Sequence, residues 1–405
     1  MAHLALSATR RWAKAPVAVR VAVVYLGARV VTTVFLVIAA SLSTSSSRFG
    51  AEAGLIDFVL GWDAQWYWLV AENGYPTDLP LTDSGDVAEN AWAFMPVFAY
   101  AAKGIGVLLG SWGAGALLLS LVAGYLACLA LHRLLRDRIG NSAATWAVVF
   151  FAAGPIAAMF QVGYAETLFL LLLFLALDAT TQRTYAWLYI LIPVMAFTRP
   201  GVLAFALFLG LHGLLRWIRR RQDPLTGREI AHILALGALA TLSGFAWQVI
   251  AGIATGDPGA YLATELAWRQ HWITGGVEGF IPFEGWIQAS QFWFALWGMP
   301  QWWGPIVLVL SVVGAAAALL FSPQVRALGA DIRLWSASYL LYLLAVFFPQ
   351  SSTFRLLLPL SPLWGAVAVP RSRLWRVGVL AACLLGQWFW IYHVYALGST
   401  FWQVP

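Results

Sequence analysis

The chain has 405 residues, of which 61% are hydrophobic and 10% are charged. So few charged groups cannot coat a water-soluble globule of this length, which excludes a soluble protein and predicts a membrane protein. Its 23 tryptophans agree, because indole rings favour the two membrane–water interfaces. Cys128 and Cys383 both lie in apolar runs, so they predict neither a disulfide framework nor a metal cluster.

Apolar segments of membrane-spanning length follow one another along most of the chain. The first is preceded by Arg10, Arg11 and Lys14, as in a signal peptide, but it is too long for one and lacks a cleavage site, so we expect a retained span. The segments that flank Arg199 are short and can instead form one re-entrant element. The sequence predicts an all-α polytopic protein with a single membrane domain over residues 1–405 and about 11 transmembrane helices at 18–40, 113–131, 143–160, 164–180, 184–197, 200–217, 230–253, 302–320, 334–349, 354–369 and 374–396.

Basic residues are distributed unequally between the two sides that these helices define. With a cytoplasmic amino terminus, eighteen of the 24 lysines and arginines fall in cytoplasmic segments and five on the opposite side. Because basic residues accumulate in cytoplasmic loops, this ratio predicts that orientation for a multi-pass protein of the plasma membrane. It also accounts for the net charge of +6 without a nucleic-acid partner. The remaining residue, Arg29, lies inside the first span, where we expect a structural partner.

Two segments on the outer side, residues 41–112 and 254–301, are longer than ordinary connections between packed helices, and together they hold twelve of the 18 acidic residues. Since long loops usually carry function, we expect the chemistry on the extracytoplasmic face, with interfacial helices in the first segment. Asp83, Asp86 and Glu89 lack the spacing of a calcium loop, so they predict a solvated acidic loop and no metal site.

The stretch GWDAQWYWLVAENGY, residues 61–75, places several aromatic rings beside one carboxylate. Its pattern predicts a short helix along the membrane surface, with Asp63 and Tyr67 on one side. Spacing alone fits equally well an aspartate that only caps or solvates the start of that helix. The other side of the predicted helix is apolar and comprises Trp62, Trp66, Leu69 and Val70.

Residues 62–75 together with NAWAFMPVFAY, residues 90–100, resemble the signature of the PIG-V family, membrane mannosyltransferases of the GT-C superfamily that include GPI mannosyltransferase 2. Later family elements have counterparts in GYAETLF, residues 163–169, and TRPG, residues 198–201. The matching motifs span roughly half the chain in the family's order. Met95 and Ala165 stand where the family pattern has Phe and Ser.

This resemblance implies a GT-C fold and an inverting transfer of a sugar, mannose in the family, from a polyprenyl-phosphate donor to a hydroxyl of a glycolipid acceptor. Asp63 would then be the general base that takes the acceptor proton. The enzyme is expected to be a monomer that needs no metal or other cofactor, with the lipid bilayer, the donor and the acceptor as its partners. The motifs that match imply substrate-binding roles for Trp62, Tyr67, Asn90, Tyr164 and Glu166. Glu166 can instead order the Asp63 helix or pair with an outer arginine.

Guanidinium groups suit a phosphate leaving group, because their planar fork matches phosphate oxygens and stays charged near lipid. Arg199, Arg269 and Arg355 lie at or near outer ends of spans and are the candidate phosphate ligands, although each can also pair with loop acids or extend to headgroups. Gln270 and His271 stand beside Arg269 amid aromatic residues and are candidate sugar contacts. A solvated loop histidine is the commoner case for His271.

The alternative function is a lipid or small-molecule transporter or flippase without transferase activity, for which many spans and an intramembrane arginine are unsurprising. Secondary transporters often contain repeated halves, and the sequence shows no such repeat. The outer segment of residues 41–112 is also long for a transporter. A membrane acyltransferase is disfavoured because no histidine is placed within a span as its base.

Overall fold

The computed structural model describes residues 15–268, 279–347 and 352–398. Within these ranges the regular structure is helical apart from one isolated β-bridge between Leu81 and Val87, which confirms the predicted all-α class. The first nine α-helices are α1 Val17–Ser41, α2 Leu55–Val59, α3 Asp63–Asn73, α4 Pro96–Leu109, α5 Trp112–Ala152, α6 Glu166–Thr181, α7 Leu188–Ala196, α8 Val202–Ile218 and α9 Gly227–Thr255. The rest are α10 Ala260–Ala267, α11 Glu284–Leu296, α12 Trp303–Phe321, α13 Pro323–Arg326, α14 Ala330–Val346, α15 Thr353–Leu356, α16 Trp364–Ala368 and α17 Arg373–Ile391.

Five helices in the described ranges are long and apolar enough to cross a membrane: α1, α5, α9, α12, and α17 with the π-helical turn Tyr392–Leu397 that continues it. Much of their surface is apolar and exposed in the isolated chain, as at Leu242 and Leu310, which suits contact with lipid. Shorter apolar helices lie between them, and the number of crossings stays a prediction.

Three predicted spans differ from the observed helices at places where glycine or proline interrupts a regular helix. Residues 113–131 and 143–160 fall largely on α5, which is broken at Gly140 (φ 80°, ψ 160°) and ends at Ala152, shortly before Pro155. The predicted span 354–369 is three short pieces: α15, the 3₁₀-helix Leu358–Leu363 and α16. Proline cannot donate a backbone hydrogen bond, and Pro359 and Pro362 prevent a continuous helix there.

Residues 41–112, the first segment predicted to lie on the outer side, contain α2, α3, the 3₁₀-helix Ala91–Ala93 and α4, which confirms the prediction of short helices there. Helix α4 lies against the start of α5 at very short range. A Cβ atom added at Gly115 would come within 2.2 Å of the Ala102 carbonyl oxygen, so glycine is required at this contact. This close packing fixes α4 on the long helix α5.

Arg29 has backbone partners inside the bundle. Its Nη1 donates to the Ala157 carbonyl oxygen at 2.6 Å, and its Nη2 donates to the carbonyl of Ala152, the last residue of α5. The guanidinium also lies over the Phe160 ring, 4.9 Å from the centroid. A cation suits the negative end of a helix dipole, so Arg29 ties α1 to the end of α5.

Candidate active site

Asp63 is the first residue of α3, where the helix dipole favours a negative charge. The residue before it, Trp62, has φ 54° and ψ −125°, a backbone conformation that residues other than glycine rarely adopt. Such a conformation costs about 1–3 kcal/mol. The Trp62 ring contacts Phe49 edge-on, with 6.0 Å between the ring centroids. The Arg48 guanidinium lies over the same ring, 4.4 Å from its centroid. The strained backbone therefore lies directly at the carboxylate.

Glu166 is likewise the first residue of its helix, α6, and only 3% of its side chain is exposed. The turn before it packs closely on the start of α3. Gly163 donates its backbone N–H to the Val59 carbonyl oxygen at 3.0 Å, and a Cβ atom at Gly163 would lie 3.2 Å from that of Ala64. Two helix starts, each bearing a carboxylate, are thus held side by side.

Two arginines join these carboxylates into one network. Arg355, on α15, pairs through Nη1 with the Asp63 carboxylate and through Nε with Glu166 Oε1 at 3.2 Å. Arg199 pairs with the same Glu166 oxygen at 2.6 Å. The four side chains come from distant parts of the sequence, so the fold assembles a charge-balanced cluster of two guanidinium and two carboxylate groups.

Arg199 reaches this cluster because the chain turns sharply between α7 and α8. Gly201, the residue before α8, has φ 140°, a conformation that L side chains rarely adopt. The turn is also tied to α4, since Val97 donates its backbone N–H to the Phe197 carbonyl oxygen at 3.0 Å. The break that the sequence predicts around Arg199 is therefore present, and it directs that side chain to Glu166.

The four side chains differ in access. Asp63 exposes 21% of its side chain, compared with 3% for Glu166, 13% for Arg199 and 11% for Arg355. A ligand can therefore approach Asp63 most easily, whereas Glu166 is enclosed and holds both arginines. Burial raises the pKa of Asp63 above the ordinary aspartate value, and the Arg355 guanidinium opposes that rise. The cluster offers a proton acceptor beside two fixed cations.

Aromatic side chains enclose the cluster. Tyr164 is fully buried, and the Arg355 guanidinium lies 5.5 Å from its ring centroid. Tyr67 is buried against the edges of Phe94 and Phe98 at 5.3 and 5.2 Å. The inward face of α3 thus centres on Tyr67.

This buried face differs from the apolar side predicted for the helix. The residues of α3 that are buried are Ala64, Tyr67, Val70 and Ala71, whereas Trp66 is half-buried and stacks on Phe94 at 5.6 Å. Tyr67 is inside because Phe94 and Phe98, from the following segment, cover it, and the pattern of one helix does not reveal that cover.

Asn90 uses its side chain to join the two outer segments. Its amide nitrogen donates to Thr264 Oγ1 at 2.9 Å, and its amide oxygen accepts the Trp92 backbone N–H at 3.0 Å. Thr264 belongs to α10, in the second outer segment. Asn90 therefore connects residues 41–112 with residues 254–301. Its role in substrate binding stays a prediction.

Arg269, Gln270 and His271 lie outside the described residues, so their predicted roles stay predictions. Their neighbour Trp268, which the sequence did not single out, packs edge-on against Trp66 at 5.4 Å and Phe94 at 5.8 Å. Its buried Nε1 has no hydrogen-bond partner in the described part of the chain. Trp268 and Trp272 lie four residues apart in the sequence, and this pair of tryptophans could have indicated an aromatic contact there.

A wide apolar groove runs along the other side of α3, with a volume of about 720 Å³. Ala64 and Gln65, which directly follow Asp63, line it, together with residues of α1, α2 and α5. Two of its lining residues, Ile56 and Trp68, are exposed apolar side chains. A long apolar chain bound in this groove would therefore contact residues next to Asp63.

Among the described residues there is no group of three or more His, Cys, Asp or Glu side chains placed to hold a metal ion. The acidic loop at Asp83 and Asp86 is organised by its own hydrogen bonds, including one from Ser84 to the Asp86 carboxylate at 2.9 Å. Independence from metal stays a prediction.

Replacing Gly163 by Val is expected to lower activity at this site without removing a charged group. The new side chain would push the start of α3 away from α6, and a displacement of about 1 Å can cost roughly 100-fold in rate. Gly378→Val is the matched control, because a Cβ atom there meets nothing within 4 Å. Equal activity of both variants would show that the α3–α6 contact does not position the site.

No family model matches the chain, and no curated protein is significantly similar to it. Among solved structures, the chain is similar to an oligosaccharyltransferase of Archaeoglobus fulgidus, crystallised tethered with an acceptor peptide containing the NVT sequon via a disulfide bond. The sequence identity is 12% and the TM-score 0.36, over 93% of this chain and 56% of that chain. The chain thus spans little more than half the length of that structure. Membership of the PIG-V family stays a prediction.

Proposed function

We propose that the protein is a membrane glycosyltransferase of GT-C type that transfers a sugar, mannose by the family resemblance, from a polyprenyl-phosphate donor to a hydroxyl of a glycolipid acceptor on the extracytoplasmic side. The observation that carries this proposal is the network in which Arg355 bridges Asp63 and Glu166 while Arg199 pairs with Glu166. Such a network supplies a base and two cations at one place, next to an apolar groove.

The proposed reaction is a single displacement at the anomeric carbon. The acceptor oxygen attacks this carbon while the bond between the carbon and the phosphate oxygen breaks, so the configuration inverts. The polyprenyl phosphate leaves with the bonding electron pair, and the acceptor proton passes to the Asp63 carboxylate. Asp63 suits this role because it is the more accessible of the two carboxylates.

Arg355 and Arg199 would hold the departing phosphate. A guanidinium has five N–H donors, so pairing with a carboxylate leaves others for phosphate oxygens. Glu166 would act as a positioning residue, because one of its oxygens contacts both arginines and its side chain is almost inaccessible. The groove beside Ala64 and Gln65 would accommodate the polyprenyl chain.

The test is sugar transfer by the purified protein in lipid nanodiscs. Polyprenyl-phosphate mannose and polyprenyl-phosphate glucose are supplied separately with phosphatidylinositol-based acceptors, and products are identified by mass spectrometry and by the anomeric configuration in NMR. We expect an inverted glycolipid product. Absence of product with every donor, together with movement of the lipid phosphate across liposome membranes, would instead support a transporter.

The pH dependence of transfer should reveal a buried aspartate base. The base must be unprotonated, so kcat/KM should fall as the pH decreases through the pKa of Asp63. An ordinary aspartate titrates at about pH 4. Because burial raises the pKa of Asp63, the acid limb of the profile should lie at a higher pH than that. A pH–rate profile checks this, and a limb that is unchanged in Asp63→Glu would argue against Asp63 as the titrating group.

A further inference from the structure

A second groove, of about 870 Å³, lies between α8 and α9 and includes Leu225 of the arginine-rich connection between these helices. Its lining is almost wholly apolar, and Leu214, Trp217 and Leu234 expose about half or more of their side chains at its rim. Two glycines leave space in the groove, because a Cβ atom added at Gly210 or Gly237 meets nothing within 4 Å. Its width and its apolar walls suit a hydrocarbon chain.

The connection between the two helices carries a concentrated positive charge at the end of this groove. Arg219, Arg220, Arg221 and Arg228 are exposed, and none of them has a carboxylate partner among the described residues. Arg220 lies 4.3 Å above the Trp217 ring, which lines the groove, and donates Nη1 to the Trp217 carbonyl oxygen at 2.8 Å. One unpaired cation is therefore fixed at the groove itself.

The acidic residues of this connection are already used by other arginines. Arg216, which is buried, pairs with Asp223 at 3.3 Å and with Glu229 at 3.2 Å. Arg183 pairs with Asp223 at 2.5 Å. These internal pairs fix the α8–α9 hairpin and leave the four exposed arginines available to an external anion.

We propose that this groove binds an anionic phospholipid, with one acyl chain between α8 and α9 and the phosphate held by Arg219, Arg220, Arg221 and Arg228. An apolar groove next to unpaired guanidinium groups at the membrane surface complements such a lipid in both shape and charge. The site shares no residue with the cluster of Asp63, Glu166, Arg199 and Arg355, and it does not depend on the function proposed for that cluster.

The experiment uses the full chain in nanodiscs that contain trace diazirine-labelled phosphatidylglycerol or, separately, diazirine-labelled phosphatidylcholine. After photolysis, labelled peptides are mapped by mass spectrometry. We expect phosphatidylglycerol to label α8 and α9 several-fold more than phosphatidylcholine. Equal labelling by the two lipids would overturn the proposal.

Two variants separate the parts of the proposed site. Replacing Arg219, Arg220 and Arg221 together by Gln should reduce phosphatidylglycerol labelling to the phosphatidylcholine level, and Gly237→Leu should reduce it by filling the groove while leaving every arginine in place. Leucine is also a better helix former than glycine, so this variant is expected to fold.

The control removes two exposed arginines at the α16–α17 connection, Arg371 and Arg373, by replacement with Gln. Labelling of α8 and α9 should be unchanged in this control. An equal loss in the control would show that general surface charge attracts the lipid, and unchanged labelling in Gly237→Leu would show that no chain enters the groove. Either result would contradict the proposed site.

Discussion

Asp63→Asn is expected to lower kcat for sugar transfer by about 10³-fold, within the range by which general bases accelerate reactions. The amide keeps the size of the side chain but cannot accept the acceptor proton. The measurement is product formation by purified protein at saturating donor and acceptor. Asp78→Asn is the matched control, because Asp78 is an exposed aspartate of the same outer segment. Near-native turnover by a folded Asp63→Asn enzyme would exclude Asp63 as the base.

Arg355→Gln is expected to weaken donor binding by about 10- to 100-fold, the size of a lost hydrogen bond between charged groups. The loss should appear in the KM for the donor, because the phosphate is already charged when the donor binds, and also in kcat, because its negative charge increases as the sugar leaves. The same change should shift the acid limb of the pH profile to higher pH, since the Arg355 guanidinium opposes the effect of burial on the pKa of Asp63.

The control for this variant is Lys103→Gln, which removes another cation of the outer segments, paired with Glu72 at 3.4 Å. Arg355→Lys keeps a positive charge but loses the planar fork, so its donor KM should fall between those of the native and Gln enzymes. If Arg355→Gln changes kcat and leaves the donor KM unchanged, Arg355 does not hold the phosphate in the ground state.

Individual candidates could be found from the sequence more readily than their arrangement. Asp63 stood out because a carboxylate lay among aromatic rings, and Arg199 and Arg355 because few cations fall on the outer side. That Arg355 contacts both Asp63 and Glu166 could not be predicted, since this pairing depends on how helices distant in the sequence pack. The strained backbone conformation of Trp62 likewise depends on the residues packed around it, so it could not be predicted from the sequence.

Helix ends were least predictable where hydropathy and backbone chemistry disagree. Residues 354–369 are apolar enough to suggest a span, but Pro359 and Pro362 divide them into short helices, one of which carries Arg355. The break around Arg199 was visible in advance because Pro200 and Gly201 signal it directly. In both places an arginine of the cluster lies where a regular helix is interrupted, which leaves its side chain free to turn towards Glu166.

The most direct test of the central claim measures donor binding and transfer on the same Asp63→Asn protein. If Asp63 is the base and Arg355 a phosphate ligand, the variant should bind the polyprenyl-phosphate sugar at least as tightly as the native protein, because Arg355 loses a competing carboxylate, and yet transfer almost none of it. Weaker donor binding in parallel with lost transfer, or transfer that continues at the native rate, would contradict the account.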